Sequence, residues 1–398
     1  MNCNSEIIEQ LNNVDWSFPG LSNNGIHSFH WYPATYLSAI PGTLIPLFSY
    51  EGEAVLDPFC GSGTSGVEAI RLGRKFIGID TNPIALLISK AKVSFPTPEV
   101  FTEQVNEIIR QSEGLFAKSY LFEHPRQEEL LGWYHPNTLL GLDGILNLIL
   151  NVSQPSIKMA LLAVFSGILK NCSSQGKHWG WVCDNVKPKP HEIVYKDAVS
   201  VFSNAAISYI QSSINLFDAA NIRDEVSRPA LSGRARFSHG SCIKEMEGLS
   251  RDSIDFIVTS PPYYGVADYV KSQRLSYLWF DRDELSEHML GFRDFERLRA
   301  TETGARSNRS RATSHSSYID FMQRFFAQSN RVLRSGRYMA LVVGESKART
   351  STTNFLIQMA LDSGFELVSR LERDIKLSRR RLMAKVSNED VLVFRKNN

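Results

Sequence analysis

Two glycines and an acidic residue stand at the ends of two predicted neighbouring strands near the start of the sequence. The segment AVLDPF (54–59) reads as a short buried strand, and the turn GSGTSG and the helical run VEAIRL follow it. A second predicted strand, KFIGID (75–80), ends in Asp80. A glycine turn lets a ligand approach the backbone, and an acid after the next strand can bind two ribose hydroxyls. Gly61, Gly63 and Asp80 therefore predict a site for a ligand that contains a nucleoside.

The glycines alone do not define the class of ligand, because Gly61, Gly63 and Gly66 also satisfy the GxGxxG pattern of dinucleotide-binding proteins. Asp57 separates the two classes, since it would set a carboxylate where a dinucleotide-binding turn must receive a diphosphate. A ligand with a sulfonium and an ammonium group tolerates that carboxylate better. The structural alternative is that Asp57 and Asp80 only cap the ends of their strands.

A second group of residues that could take part in a reaction directly follows the apolar segment DFIV. It is Thr259-Ser260-Pro261-Pro262-Tyr263. Ligands of open parallel sheets bind at the carboxyl ends of the strands. The Ser260 hydroxyl and the Pro261 carbonyl can accept hydrogen bonds from an amine, and two prolines fix the carbonyl direction. Tyr263 offers a ring face for a base that has left its stack. The pentapeptide indicates chemistry at an amino group, although an isolated proline turn is commoner.

These segments resemble the motifs of the DNA amino-methyltransferases. DPFCGSGT (57–64) resembles the cofactor motif of that family, GIDTNPIA (78–85) its acidic second motif and TSPPY (259–263) its catalytic motif. HSFHWYPA (27–34) resembles the N-terminal motif that covers the methionine end of the cofactor. The resemblance implies S-adenosyl-L-methionine as the cofactor. Carried over by position, it implies cofactor binding by Tyr32, Pro33, Asp57, Phe59, Gly61, Gly63, Thr64, Asp80, Asn82 and Pro83, and catalysis by Ser260, Pro261, Pro262 and Tyr263.

The resemblance further implies a site-specific enzyme that methylates a flipped base of double-stranded DNA, without a metal. Serine before Pro-Pro-Tyr favours cytosine N4, and adenine N6 stays open. Methylation of cytosine C5 is disfavoured, because it needs a cysteine nucleophile after a proline and Cys60 lies inside the cofactor turn. An RNA substrate and a non-catalytic DNA-binding module are further alternatives. One departure is Ser241, where related enzymes usually carry an acid next to the cofactor adenine.

The order of the elements predicts an α/β fold with a mostly parallel sheet and an antiparallel C-terminal strand, and the resemblance implies that this is the Rossmann-like sheet of class I methyltransferases. Further strands are predicted at 252–260 and 337–345, and two closing strands, both antiparallel to the others, after residue 363. Long helical stretches between about 96 and 230 predict an inserted lobe. The predicted division is 1–95 for the N-terminal motif and the cofactor half, 96–230 for a helical target-recognition lobe, and 231–398 for the catalytic half.

Positive charge is clustered locally, although the formal net charge of the 398-residue chain is only +2. Arginines between 293 and 311 stand among small polar residues and predict a mobile loop that closes over DNA. Arg379, Arg380 and Arg381 form a second cluster. In the segment around 177–189, lysines alternate with aromatic residues, which suits phosphate contacts and stacking. A solvated surface is the alternative for each cluster. The residues of the third segment are Lys177, His178, Trp179, Trp181, Lys187 and Lys189.

The sequence shows no signal peptide, no apolar run that could span a bilayer and no lipidation motif, so we expect a cytoplasmic protein. Its five cysteines are scattered and form no CxxC pair, which predicts neither a disulfide framework nor a zinc site. The spacing of Cys172, His178, Cys183 and His191 matches no metal-binding pattern. The expected partner is double-stranded DNA. A cognate restriction enzyme is a second expected partner if the methylation protects the cell's own DNA. The sequence predicts no oligomeric state.

Overall fold

The computed structural model describes residues 3–116, 122–175, 187–220, 226–288, 290–308, 314–346, 352–374 and 386–397. The strands in this part of the chain are β1 (Ala54–Asp57), β2 (Lys75–Asp80), β3 (Ala235–His239), β4 (Ile254–Thr259), β5 (Leu333–Ser346), β6 (Phe365–Asp374) and β7 (Val386–Lys396). The helices are α1 (Cys3–Asn12), α2 (Ala39–Phe48), α3 (Thr64–Arg71), α4 (Pro83–Lys92), α5 (Pro98–Phe116), α6 (Gln127–Leu131), α7 (Pro136–Leu150), α8 (Pro155–Cys172), α9 (Ala198–Ala220), α10 (Arg228–Ser232), α11 (Cys242–Glu247), α12 (Arg274–Trp279), α13 (Phe295–Thr301), α14 (Ser314–Val332) and α15 (Thr352–Asp362). Within the same ranges, no helix is long and apolar enough to cross a membrane.

The strands form one sheet in the order β3-β2-β1-β4-β5-β7-β6, which confirms the predicted α/β fold class. Strands β3, β2, β1, β4 and β5 pair in parallel, and β7 is antiparallel to both of its neighbours. The prediction that both closing strands are antiparallel is wrong for β6. Helix α15 connects β5 to β6, and a helical crossover returns the chain in the direction of the preceding strand. Only β7, inserted between β5 and β6, is reversed.

The two faces of the sheet are covered by different sets of helices. Side chains alternate along each strand, so Val55 of β1 joins one hydrophobic cluster and Leu56 joins the other. Helices α11, α14 and α15 pack on the Leu56 side, while α2, α3 and α4 pack on the Val55 side. A parallel sheet covered on both faces leaves the carboxyl ends of its strands accessible for a site.

Helices α5 to α10 lie between β2 and β3 in the sequence, where long helical stretches are predicted. The apolar runs within 142–150 and 159–170 form parts of α7 and α8, as expected. Helix α8 packs on α4, and α9 packs on α3 and α5. Buried residues of these helices belong to the same hydrophobic cluster as Val55 of the sheet. The division into three segments and the role of the middle one in target recognition stay predictions.

The arginine-containing segment after residue 292 forms α13 (Phe295–Thr301) with a short 3-10 helix on each side, so the prediction of a mobile loop is wrong for these residues. Phe295 and Leu298 of α13 are buried and anchor the helix. Arg297 pairs with Asp294 at 2.9 Å. The polar composition of this segment predicted a loop, but these two apolar side chains pack in the core and the residues around them form a helix. Several predicted features lie outside the described residues: Lys177, His178, Trp179, Trp181, Cys183, Arg309, Arg311 and Arg379–Arg381.

Candidate active site

A cavity of about 410 Å³ lies at the carboxyl ends of the central strands. The chain continues from β1 to β2 on one side and from β4 to β5 on the other, so the cavity lies where the direction of strand addition reverses. Ligands of open α/β sheets bind at this kind of position. Nine of the residues predicted for the site line the cavity: Tyr32, Pro33, Phe59, Gly61, Thr64, Asp80, Asn82, Ser260 and Pro262.

The glycine turn between β1 and α3 needs glycine for two different reasons. Gly61 and Gly63 have φ values of 48° and 78°, which belong to the left-handed region. A Cβ atom on Gly63 would lie 2.8 Å from Oγ and 3.0 Å from Cα of Ser89. Gly63 therefore lets α3 and α4 approach closely, although it does not line the cavity. Gly61 lies beside Tyr32, whose ring a Cβ atom would meet at 3.3 Å.

Asp80, at the end of β2, presents its carboxylate to the cavity. Its two oxygens accept hydrogen bonds from the backbone N–H groups of Gly61 at 2.9 Å and Asn82 at 2.8 Å. Burial raises the pKa of Asp80 to about 6, although these backbone hydrogen bonds favour the charged form. A carboxylate can accept about four hydrogen bonds, so Asp80 keeps acceptor capacity for a ligand.

Asp57, by contrast, lies behind the cavity wall. The side chain is fully buried, and its Oδ1 accepts from Phe59 N at 3.1 Å and from the Thr259 hydroxyl at 2.5 Å. Its Oδ2 accepts a hydrogen bond from the Ser65 hydroxyl. Burial raises the pKa of Asp57 to about 6. The sequence predicts a contact with the cofactor, whereas the structure places both oxygens in contacts within the protein.

Asn82 and Pro83 begin α4 as the sequence predicts. The Asn82 side chain accepts from Ile84 N at 3.0 Å, and Pro83 occupies the first turn, where no backbone donor is needed. The Tyr277 hydroxyl also donates to the Asn82 oxygen, at 2.9 Å. These contacts fix Asn82 on the cavity wall, while Pro83 lies outside the lining.

The residues of the predicted catalytic motif have different environments. The Ser260 hydroxyl lines the cavity and donates to the Tyr263 hydroxyl at 3.2 Å. Tyr263 is 7% exposed, does not line the cavity, and donates to the Val342 carbonyl at 3.2 Å. Pro261 is buried, and the Pro262 carbonyl accepts from Tyr318 at 3.2 Å. The structure brings Ser260 and Pro262 to the cavity, and the stacking role of Tyr263 stays a prediction.

Several lining residues have no counterpart among the predicted site residues. Residues 239–242, after β3, also line the cavity and include Ser241, the residue noted above as a departure from the resemblance. Tyr269, Val270 and Glu302 line it as well. Glu302 was missed because it lies in the segment taken for a loop, where no motif marks it. Among the described residues, no group of three or more metal-ligating acids, histidines or cysteines occurs.

The strand order and the cavity define an α/β fold with a candidate site at the carboxyl ends of its central strands. Residues 5–91 match a family model described as DNA methylase. Type II methyltransferase M.MvaI of Kocuria varians is 25% identical over 269 residues, which cover 64% of this chain and 57% of that protein. Type II methyltransferase M.BsoBI of Geobacillus stearothermophilus is 22% identical over 310 residues, which cover 71% and 58%. Over these parts of its length, the chain is similar to DNA methyltransferases.

The matches have limited extent. The alignments cover between one half and two thirds of the length of both relatives. Among solved structures, a TehB-like SAM-dependent methyltransferase from Corynebacterium glutamicum gives a TM-score of 0.32 at 11% identity, with 90% of this chain and 87% of that chain covered. This likeness is weak, and the fold class follows from the strand order itself.

Proposed function

We propose that this chain transfers a methyl group from S-adenosyl-L-methionine to the exocyclic amino group of a flipped base in double-stranded DNA, with cytosine N4 favoured. One observation carries the proposal: Ser260 and Pro262, at the end of β4, line the same cavity as Gly61 and Asp80. The predicted catalytic and cofactor motifs, far apart in the sequence, thus contribute to a single cavity. A methyl donor and an amine could be held next to each other there.

The cavity suits S-adenosyl-L-methionine in size and chemistry. Its volume of about 410 Å³ is within the roughly 300–1,000 Å³ of typical ligand pockets. Asp80 can accept hydrogen bonds from ribose hydroxyls, in addition to the two backbone N–H groups that it already binds. Asp80 and Glu302 make the wall negative when ionised, which favours a ligand with sulfonium and ammonium groups. The residues present therefore fit this cofactor.

The reaction needs positioning and polarisation of the amine. The cofactor supplies a methyl group that is electrophilic because it is bonded to a positively charged sulfur. The lone pair of the amine nitrogen forms the new bond to the methyl carbon, the electron pair of the broken C–S bond stays on sulfur, and the amine loses one proton. The products are the methylated base, S-adenosylhomocysteine and a proton. The protein forms no covalent bond in this step, so its side chains act through hydrogen bonds.

Ser260 has the geometry of a group that accepts a hydrogen bond from the amine. Because its hydroxyl proton is donated to Tyr263, the lone pairs of Oγ remain available to an N–H donor in the cavity. The hydrogen bond from Tyr263 to the Val342 carbonyl in β5 holds this arrangement. Acceptance of an N–H bond by Ser260 raises electron density on the amine nitrogen, which makes it more nucleophilic. Serine at this position supports cytosine N4 over adenine N6 by resemblance to the family.

The test is incubation of the wild-type protein with methyl-labelled S-adenosyl-L-methionine and unmodified DNA of mixed sequence, followed by nucleoside digestion and mass spectrometry. We expect labelled N4-methylcytosine. Labelled N6-methyladenine would correct the base and leave the reaction class intact. Label that enters a matched RNA but not the DNA would replace the proposed substrate. Cofactor binding without label in either nucleic acid would contradict catalysis and favour a non-catalytic binding module.

A further inference from the structure

Glu302 is an acidic residue on the cavity wall that lies outside the four motifs and outside the matched residues 5–91. It follows α13, and its carboxylate accepts a hydrogen bond of 2.6 Å from Tyr269 N and one of 3.4 Å from Val270 N. A carboxylate has about four acceptor positions, so these contacts leave capacity for a ligand. The backbone of Tyr269 and Val270 therefore orients the carboxylate at the cavity.

The segment that contains Glu302 is fixed to the loop after the catalytic motif. Gly265 N donates to the Gly304 carbonyl at 2.7 Å, and Arg306 N donates to the Ala267 carbonyl at 3.1 Å. Ser307 N donates to the Asp268 carboxylate at 2.8 Å. These contacts hold the segment that contains Glu302 against the loop after β4, whereas Ser241 lies after β3.

The surroundings of Glu302 contain more negative than positive charge. Burial, with smaller contributions from the nearby carboxylates of Asp268 and Asp80, raises the pKa of Glu302 to about 8. Of the two basic residues on the cavity wall, Arg297 is ion-paired with Asp294 and His239 contacts the Thr81 carbonyl. A cation in the cavity would favour the charged form of Glu302.

Glu302 lies near the residue that is predicted to cover the methionine end of the cofactor. Its charge contributes to the raised pKa of Tyr32, together with the charge of Asp80. Tyr32 in turn lies against Gly61 of the glycine turn. Glu302 is therefore close to Tyr32 in the cavity.

We propose that the Glu302 carboxylate binds the positively charged methionine half of S-adenosyl-L-methionine. The two backbone N–H groups orient the carboxylate, and the buried wall makes its attraction to the sulfonium and ammonium groups stronger than it would be in water. Glu302 is thereby assigned as a cofactor-binding residue that the motifs do not contain. The inference rests on the proposed function, because it requires that this cofactor occupies the cavity.

The experiment compares three ligands by isothermal titration calorimetry with the full chain. S-adenosyl-L-methionine has both the sulfonium and the ammonium group, S-adenosylhomocysteine has only the ammonium group, and 5′-methylthioadenosine has neither. We expect Glu302→Gln to weaken S-adenosyl-L-methionine binding by about tenfold or more and S-adenosylhomocysteine binding by a smaller factor, with 5′-methylthioadenosine changed by less than about twofold. The matched control is Glu296→Gln, which removes an exposed carboxylate of α13 and should leave all three affinities unchanged.

Unchanged S-adenosyl-L-methionine affinity in Glu302→Gln would overturn the inference. Equal weakening of all three ligands would also overturn it, since Glu302 would then act only by holding Tyr269 and Val270. If Glu302→Gln does not fold, as judged by circular dichroism, Glu302→Asp serves instead. It retains the charge, and it should weaken the two charged ligands while leaving 5′-methylthioadenosine unchanged. A wild-type protein that binds none of the ligands would contradict the proposed function itself, which distinguishes the two failures.

Discussion

The hydroxyl of Thr259 donates a hydrogen bond of 2.5 Å to the carboxylate of Asp57, a residue 202 positions earlier in the chain. Asp57 ends β1 and precedes the glycine turn, and Thr259 ends β4 and precedes Ser260. The second oxygen of Asp57 accepts from Ser65 in α3. All three side chains are buried. One carboxylate thus fixes the cofactor turn relative to the predicted catalytic motif.

Thr259→Val should lower the free energy of unfolding by about 1–3 kcal/mol, because valine has nearly the same shape but leaves a buried carboxylate oxygen with one donor fewer. Urea denaturation of both proteins measures the difference. Thr102→Val, an exposed position in α5, is the control and should change the free energy by less than about 0.5 kcal/mol. Equal effects of the two substitutions would show that the Thr259 hydrogen bond does not stabilise the fold.

Gly63→Ala should destabilise the protein more than Gly52→Ala does. Both glycines have a φ near 80°, which costs an L-residue about 1–2 kcal/mol. A Cβ atom on Gly52 would meet nothing within 4 Å, whereas one on Gly63 would collide with Ser89 of α4, which adds about 1–3 kcal/mol. Denaturation curves give both free energies, and calorimetry should show weaker cofactor binding only for Gly63→Ala. Identical losses in stability would exclude a close approach of α3 and α4 at Gly63.

Ser260→Ala should reduce the rate of DNA methylation by about a hundredfold, since it removes an acceptor that polarises the amine during transfer. Cofactor affinity should change by less than about twofold. Tyr263 keeps its bond to the Val342 carbonyl, so the melting temperature should remain close to that of the wild type. Single-turnover rates with labelled cofactor provide the measurement, and Ser208→Ala on the exposed face of α9 is the control. A rate equal to that of the control would remove Ser260 from the reaction.

The affinity for S-adenosyl-L-methionine should depend on the ionisation of Glu302. Its pKa of about 8 means that the free protein holds this group mainly neutral at pH 7 and mainly charged at pH 9. The Kd of Glu302→Gln divided by the Kd of the wild type should therefore rise between pH 7 and pH 8.5 and then level off. Taking the ratio cancels ionisation of the ligand itself. A ratio that is constant with pH would contradict a charged contact from Glu302.

The other groups near Glu302 whose pKa values are shifted do not titrate between pH 7 and pH 8.5. Asp80 has a pKa of about 6, so it is already ionised above pH 7. Burial raises the pKa values of Tyr32, Tyr269 and Tyr277 above their ordinary value of 10, which keeps the phenols neutral. Asp268 also faces Glu302 and accepts a hydrogen bond from Ser307 N. Calorimetry at four pH values for the two proteins provides the data.

Local sequence patterns were enough to predict the elements that hold the cofactor turn. Strand β2 ends at Asp80, and Asn82 and Pro83 start α4, because capping by a side chain and the fixed φ of proline act within a few residues. Gly61 and Gly63 have the positive φ values that glycine permits. Strand β3 was not predicted, since it is a short edge strand in which none of the five residues is fully buried.

The sequence by itself determined the fold class and the elements that hold the glycine turn, because short-range backbone preferences and alternating hydrophobicity encode them. The tertiary structure alone decided which side chains reach the cavity. It turned Asp57 inward towards Ser65 and Thr259, packed Tyr263 against β5, and brought Glu302 beside residues of the N-terminal motif. These placements depend on contacts between residues far apart in the chain, whose geometry is fixed only when the sheet and its covering helices pack together.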